Sequence, residues 1–197
     1  MSGTLSEEIA IAAARMVVED GMEYGPAKRR AAKLLGLRAR DAGLPDNETL
    51  EFEVRAYLAL FCAETQPAEL GALRALAIAW MRRLSAFRPH LTGAVWRGTA
   101  TRLSDIRLEL FCDDSKAAEL ALIDQHIDYE VSSTTGPRGE PVDVLAVSSL
   151  SRELGEPVTL HLTILDYDDL RGALRTDGRG RPQRGDLSAV LALEASA

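Results

Sequence analysis

The chain has 197 residues, of which 46% are hydrophobic and 27% charged, and its formal net charge at pH 7 is −7. This composition predicts a folded protein with one core or two small ones, and it argues against disorder and against nucleic acid as a partner. No apolar run approaches the roughly 20 residues needed to cross a bilayer. The first residues also lack the basic and apolar regions of a secretion signal. The sequence therefore predicts a cytoplasmic protein without a membrane partner.

The first half of the chain has the pattern of helices. From Thr4 to about Phe87, apolar residues recur at intervals of three and four, and most residues are good helix formers. This pattern predicts four helices, in the segments SEEIAIAAARMVVEDG, GPAKRRAAKLLGL, DNETLEFEVRAYLALFCAET and PAELGALRALAIAWMRRLSAF. Asp46, Asn47 and Thr49 are alternative caps for the third helix.

The second half changes to short β-rich runs separated by glycine and proline. These runs predict strands in HLTGAVWRG, DIRLELFC, IDYEVSS, PVDVLAVSSL and PVTLHLTIL, with one helix, DSKAAELALIDQ, between them. The change lies between Phe87 and Leu91, and it predicts a helical domain of residues 1–87 followed by a β-rich domain of residues 88–197. The fold class indicated is α+β.

Three further features have structural interpretations. Cys62 and Cys112 lie in apolar segments and are expected to be buried free cysteines. Residues 165–174, LDYDDLRGAL, contain three carboxylates that we expect to cap a helix rather than to bind a metal. The arginine-rich segment from Arg171 to Arg184 is expected to be a mobile loop.

One arrangement of motifs points to a known family. Gly93-Ala94 closes the first β-rich run, a loop with Arg97-Gly98 follows, and Ser104-Asp105-Ile106 opens the next run. Residues 88–175 thereby resemble the catalytic core of the nucleotidyltransferase superfamily, of which DNA polymerase beta is one member. The signature of that family is a Gly-Ser pair, a loop, Asp-x-Asp or Asp-x-Glu between apolar residues, and a third carboxylate on a later strand. The resemblance implies a nucleotidyltransferase-like domain with a mixed β-sheet.

The whole chain is also similar to a group of bacterial proteins, some of which carry a cell-wall ligase name. Such ligases bind ATP phosphates with a Gly-Lys-Ser or Gly-Lys-Thr loop, and this sequence contains no such loop. The sequence therefore does not support that name.

The chain departs from the family signature at its second carboxylate, where it has Arg107. Residues two apart on a strand lie on the same face about 6.5 Å from each other, so two carboxylates at 105 and 107 could bind magnesium together. A guanidinium keeps its charge and cannot bind a cation. Glu109 shares the face of Asp105 but lies about 13 Å away, too far to replace the missing ligand.

The third carboxylate of the family also has no clear equivalent. In PVTLHLTIL its position falls near Leu160 or His161, and of these only His161 could bind a metal. A neutral imidazole suits zinc better than magnesium. The alternative is Asp143 in PVDVLAV, which would require that strand to be the central one. His161 could also be a histidine of the core, and these alternatives stay open.

The resemblance implies a phosphate-binding site at Gly93, Ala94 and Arg97, and the positive charge of Arg107 makes it a further candidate to bind phosphate. A glycine backbone still lets N–H groups approach a phosphate, and an alanine in place of serine loses only a hydroxyl. Trp96 is expected to pack at the edge of the core, with base stacking as the alternative.

The leading hypothesis for function is a degenerate nucleotidyltransferase-like protein, a pseudoenzyme that binds a nucleotide or phosphate or acts in regulation without metal-dependent transfer. In this hypothesis no metal and no cofactor are required. One alternative is an active but atypical nucleotidyltransferase that uses magnesium with Asp105, Asp143 or His161, and with Glu109 as a further candidate. Another is a protein-interaction module in which the helical domain binds a protein partner.

Overall fold

The computed structural model describes residues 2–37, 43–173, 176 and 180–195. Within these residues the helices are α1 (Ser2–Asp20), α2 (Tyr24–Leu34), α3 (Asn47–Phe61), α4 (Gln66–Arg83), α5 (Gly93–Arg97), α6 (Ala117–Asp124), α7 (Leu170–Ala173) and α8 (Leu187–Ala195). The strands are β1 (His90–Thr92), β2 (Ile106–Cys112), β3 (Glu130–Thr135), β4 (Pro141–Ser151), β5 (Glu156–Asp166) and β6 (Arg184–Gly185). Single 3-10 turns occupy Ser85–Phe87 and Tyr167–Asp169. The predicted α+β class, with helices first and a mixed sheet after them, is confirmed.

The chain divides into two compact units, one of residues 1–69 and 99–103, the other of residues 70–98 and 104–197. The division falls within α4, whereas the sequence places a change of pattern near Phe87. The domain boundary between residues 87 and 88 stays a prediction for limited proteolysis to test.

The first unit is a small bundle of α1, α2 and α3. Its core is formed by small and aliphatic residues, which include Ile9, Ala13, Val18, Ala27, Ala31, Leu50, Val54 and Leu58. Asp46 caps α3, since its carboxylate accepts a hydrogen bond of 2.7 Å from the backbone N–H of Thr49. This hydrogen bond lowers the pKa of Asp46 and selects it among the three predicted caps.

The second unit is built on a six-stranded sheet with the order β3-β4-β5-β2-β1-β6. Strands β2 and β5 are parallel, and every other pair in the sheet is antiparallel. Helix α4 is joined to the sheet by Trp80, whose indole N–H donates to the hydroxyl of Ser149 in β4 at 3.0 Å.

The register of the sheet separates an apolar face from a polar one. Leu91, Leu108, Leu162 and Leu145 are cross-strand neighbours on β1, β2, β5 and β4, and all four are buried. Burial of a leucine stabilises the fold by about 1.5–3 kcal/mol. A slip of one residue in any strand would turn its leucine outward, so this row fixes the register of the polar face as well.

The structure differs from the prediction in the run HLTGAVWRG and near the C-terminal end of the described residues. The run HLTGAVWRG is divided, because β1 ends at Thr92 and Gly93 begins the short helix α5. Gly93 has φ of +73°, a left-handed conformation that lets the chain leave the strand and enter the helix. The C-terminal helix α8 was not predicted, and Arg184, which the sequence placed in a mobile loop, lies in the short strand β6.

The two cysteines are free, as predicted, but only Cys112 is fully buried, while Cys62 is half-buried. None of the helices in the described residues is long and apolar enough to cross a membrane.

Candidate functional site

A row of polar side chains crosses the sheet next to the buried leucines but on the opposite face. Thr92 on β1 pairs with Arg107 on β2, and Arg107 pairs with His161 on β5. Each is one position away from a leucine of the buried row, so all three project to the other side. They are half-buried. The row brings two of the residues predicted from sequence, Arg107 and His161, into adjacent positions.

Asp105 and His161 are directly hydrogen-bonded. Asp105 immediately precedes β2, and its Oδ2 lies 2.9 Å from Nε2 of His161. The side chains are 42% and 25% exposed, respectively, so both remain accessible from solvent. The two side chains that could bind a metal therefore bind each other, and Arg107 is both the β2 partner of His161 and the residue two positions after Asp105.

Gly93 lies against the side chain of Arg107. A Cβ atom added to Gly93 would lie 3.3 Å from Cδ of Arg107, and the positive φ at this position would also strain any other residue. Glycine at 93 thus permits both the turn from β1 into α5 and the close approach of the Arg107 side chain. This contact gives Arg107 a defined position on the polar face.

The remaining predicted phosphate ligands lie on α5. Ala94 and Arg97 are half-buried residues of this helix, which ends at Gly98 in the left-handed conformation. Buried Arg74 of α4 donates a hydrogen bond of 3.2 Å to the carbonyl oxygen of Val95 and thereby fixes the backbone of α5.

Trp96, also on α5, is held by strand β6. Its indole N–H donates to the carbonyl oxygen of Pro182 at 2.9 Å. A Cβ atom added to Gly185 would lie 2.3 Å from Cζ3 of the indole, which shows that the ring lies directly on the backbone of β6. The edge-packing interpretation of Trp96 therefore accounts for its contacts.

Glu109 and Arg184 form an ion pair beside the polar row. Glu109 is on the same face of β2 as Arg107, and Arg184 is the β6 neighbour of Thr92. Burial raises the pKa of Glu109, although the charges of Arg184 and His90 oppose that effect. Glu109 is thus engaged by an arginine from the sheet edge.

Asp143 lies apart from the other candidates. Its strand, β4, pairs with β3 and β5 and not with β2, so it is not the neighbour of the Asp105 strand. His161 is opposite Ala146, and a residue three positions from Ala146 projects from the other face. The Asp143 carboxylate lies 3.7 Å from Nζ of Lys116. Of the two alternatives for the third position, the structure places His161 beside Arg107 and Asp143 elsewhere.

Of the three carboxylates in LDYDDLRGAL that were predicted to cap a helix, Asp166 makes a capping hydrogen bond and Asp169 forms an ion pair instead. Asp166 accepts a hydrogen bond of 2.8 Å from the backbone N–H of Asp168 at the start of a 3-10 turn. Asp169 is buried and its carboxylate lies 2.8 Å from Nε of Arg138. Leu174, the last residue of this segment, lies outside the described residues.

Magnesium does not fit the residues of the polar row. A guanidinium stands at the second ligand position, and the carboxylate of Asp105 is bonded to an imidazole nitrogen. Among the side chains that the structure describes, no group of three or more His, Cys, Asp or Glu residues could hold a metal ion.

Sequence reasoning missed the contribution of β6. Arg184 and Gly185 reach the site because a two-residue strand joins β1 far from it in sequence. The local signal is an Arg-Gly pair in a glycine-rich segment, which by itself favours a loop.

No family model, no curated protein and no solved structure matches this chain.

Proposed function

We propose that this protein is a degenerate nucleotidyltransferase-like protein that binds a nucleotide or another phosphate-bearing ligand at Arg107, without metal-dependent nucleotidyl transfer. The observation that carries the proposal is the position of Arg107, between Thr92 and His161 on the polar face with its side chain against Gly93.

The arrangement suits an anion more than a cation. A guanidinium presents N–H donors in a planar fork that matches two phosphate oxygens. Its stem lies next to Gly93, which reduces the conformational entropy that binding would otherwise remove.

Transfer of a nucleotidyl group needs more than a side chain that binds phosphate. The reaction requires neutralisation of charge on the phosphates and activation of the attacking oxygen, and metal ions supply both in this class of enzyme. Arg107 supplies positive charge, but a guanidinium does not lower the pKa of a bound hydroxyl as a metal ion does. This chemistry supports binding without transfer.

A second candidate, the active but atypical enzyme, is favoured by one observation. His161 is hydrogen-bonded to Asp105 at 2.9 Å, and a histidine oriented by a carboxylate is a common general base. In that alternative, His161 would accept a proton from an acceptor hydroxyl while Arg107 holds the phosphate. Loss of turnover on substitution of His161, with phosphate binding retained, would distinguish it from the proposal.

The direct test is a calorimetric titration with ATP and with tripolyphosphate, at low salt and with a chelator present. Arg107→Gln removes the charge of the guanidinium and keeps a polar side chain. We expect it to weaken binding by about 10- to 150-fold, since a charge-assisted contact contributes about 1.5–3 kcal/mol.

Arg152→Gln is the matched control, because Arg152 is an exposed arginine in the turn between β4 and β5. Its substitution should leave the affinity unchanged. The proposal is wrong if the unmodified protein binds neither ligand, or if both substitutions weaken binding to the same extent.

A further inference from the structure

Strand β3 is an edge of the sheet with no strand on its outer side in the described part of the chain. All six of its residues, Glu130–Thr135, are exposed. The strand contains no proline or lysine, and its only charged residue is the first, Glu130. Natural edge strands are usually protected by such residues, by bulges or by a covering element, because an open edge pairs readily with another strand. β3 therefore has the features of a strand that accepts a partner.

The hairpin between β3 and β4 determines which backbone groups face outward. The N–H of Gly136 donates to the carbonyl oxygen of Glu140 at 2.6 Å, so these two residues form a hydrogen-bonded pair. Antiparallel pairing alternates, and Thr134, Ser132 and Glu130 therefore bond to β4. The N–H and C=O groups of Val131, Ser133 and Thr135 then point away from the sheet.

We infer that β3 pairs with β3 of a second copy of this chain, antiparallel, with Ser133 on the two-fold axis. In this register Val131 faces Thr135 of the second copy, Ser133 faces its equivalent, and Thr135 faces Val131. Each of these three residue pairs exchanges two hydrogen bonds between outward-facing backbone groups. The edge is thus complementary to itself, as a two-fold interface requires.

The charges of the strand agree with this register. The two Glu130 residues lie at opposite ends of the pairing, about 20 Å apart, beyond the Debye length of roughly 8 Å. Each faces Gly136 of the second copy, at the start of a turn whose Arg138 is already paired with Asp169 of its own chain. A parallel arrangement would instead place the two carboxylates side by side, where like charges repel. The positions of the charges therefore favour antiparallel pairing of β3 with β3 of a second copy.

The pairing joins two six-stranded sheets into one. A two-fold axis at an antiparallel pair is perpendicular to the sheet, so the polar faces of both copies lie on the same side. Arg107 of each copy lies on the fourth strand from the shared edge, so seven strand spacings of about 4.8 Å place the two arginines about 34 Å apart across the strands. The dimer would present the polar rows of both copies on one surface.

The test is sedimentation velocity on the full chain over a wide range of protein concentration. Ser133→Pro removes an outward N–H that makes no bond to β4, so a proline there is compatible with the folded hairpin. Because the substitution removes one donor from each copy, the dimer dissociation constant should rise by about 100-fold. Ser133→Ala is the control, since it keeps the backbone N–H and should remain a dimer.

Ser133→Lys provides an independent variant in case the proline variant does not fold, because it places two like charges opposite each other at the axis. Circular dichroism checks that each variant is folded. The inference is supported if the unmodified chain and Ser133→Ala dimerise and the folded proline or lysine variants dissociate. It is overturned if the unmodified chain is monomeric at every concentration, or if the dimer survives both substitutions.

Discussion

The two ends of strand β2 differ in how many charged residues they carry and in the contacts that these residues make. Asp105 and Arg107, near its first residue, lie on the polar face beside His161. At the other end, beyond Cys112, a pocket is lined by Asp113, Asp114, Glu140, Asp143, Asp166 and Asp169, with Arg138. We call the first the basic end, after Arg107, and the second the acidic end.

Carboxylates are more numerous at the acidic end, yet three of them already have structural roles. Asp166 caps a turn, Asp169 pairs with Arg138, and Asp143 lies near Lys116. The basic end has fewer charges, but register and Gly93 hold its arginine at the centre of a polar row. The proposed site at Arg107 therefore rests on the geometry that positions the side chain and not on the number of ionisable residues.

The largest expected difference is in thiol chemistry at the acidic end. Burial raises the pKa of Cys112 to about 11, with the carboxylates of Asp113 and Asp114 adding to the effect and Arg88 opposing it. Compared with a thiol of pKa 9.0, this lowers the thiolate fraction near pH 8 by about 100-fold. Ellman's reagent should therefore modify Cys62, which is half-buried, long before Cys112.

The variant Cys62→Ser isolates this effect, because it should show almost no reactive thiol until denaturant is added. The pKa of Cys112 is raised in the folded state. The contribution of the Cys112 thiol to stability is therefore complete below about pH 9 and is lost as the pH rises towards 11. Equal labelling rates for the two cysteines in the native protein would contradict this description of the acidic end.

The second prediction concerns the ion pair beside the basic end. Arg184→Ala should lower the free energy of unfolding by about 2–3 kcal/mol at neutral pH, because it leaves the carboxylate of Glu109 buried without its arginine. Urea unfolding monitored by circular dichroism measures this loss. The double variant Arg184→Ala/Glu109→Gln should recover part of it.

The loss should depend on pH in a defined direction. Burial raises the folded-state pKa of Glu109 above its ordinary value of 4.5, so its stabilising effect is present below that value and is lost as the pH rises through the folded-state pKa. Without Arg184 the pKa should rise further. Arg184→Ala should therefore be less harmful in mild acid than at neutral pH, and an equal loss at both would exclude an unpaired Glu109 as its cause.

The third prediction separates stability from binding at the acidic end. Asp169→Ala should lower the free energy of unfolding by about 1–2 kcal/mol, because it removes a buried partner of Arg138. Asp168→Ala, an exposed neighbour in the same turn, should change it by less than about 0.5 kcal/mol. Neither substitution should alter the affinity for tripolyphosphate. Weaker binding by Asp169→Ala would place the acidic end in the ligand site.

Much of the architecture was accessible from the sequence because it depends on local patterns. The helices of the first half follow from apolar spacing, and Asp46 is a recognisable cap. Strands β2 and β5 alternate apolar and polar residues, and this alternation alone predicts that Asp105, Arg107 and Glu109 share one face.

The missed features depend on contacts between distant segments. Val95 and Trp96 favour a strand by propensity, but β6 and Arg74 hold them in a helix. The pairing of Asp105 with His161 spans 56 positions and has no local signature. Nor does spacing reveal that Asp143 projects from the other face of the sheet, because that depends on the β4–β5 register.

The most direct test of the central claim compares ATP binding and transfer with magnesium and with a chelator. We predict that the unmodified protein binds ATP equally well in both conditions and labels no acceptor, because Arg107 provides the positive charge and the polar row provides no magnesium site. Magnesium-dependent labelling of an acceptor by the unmodified protein, abolished by Asp105→Ala, would contradict the account and identify an active enzyme.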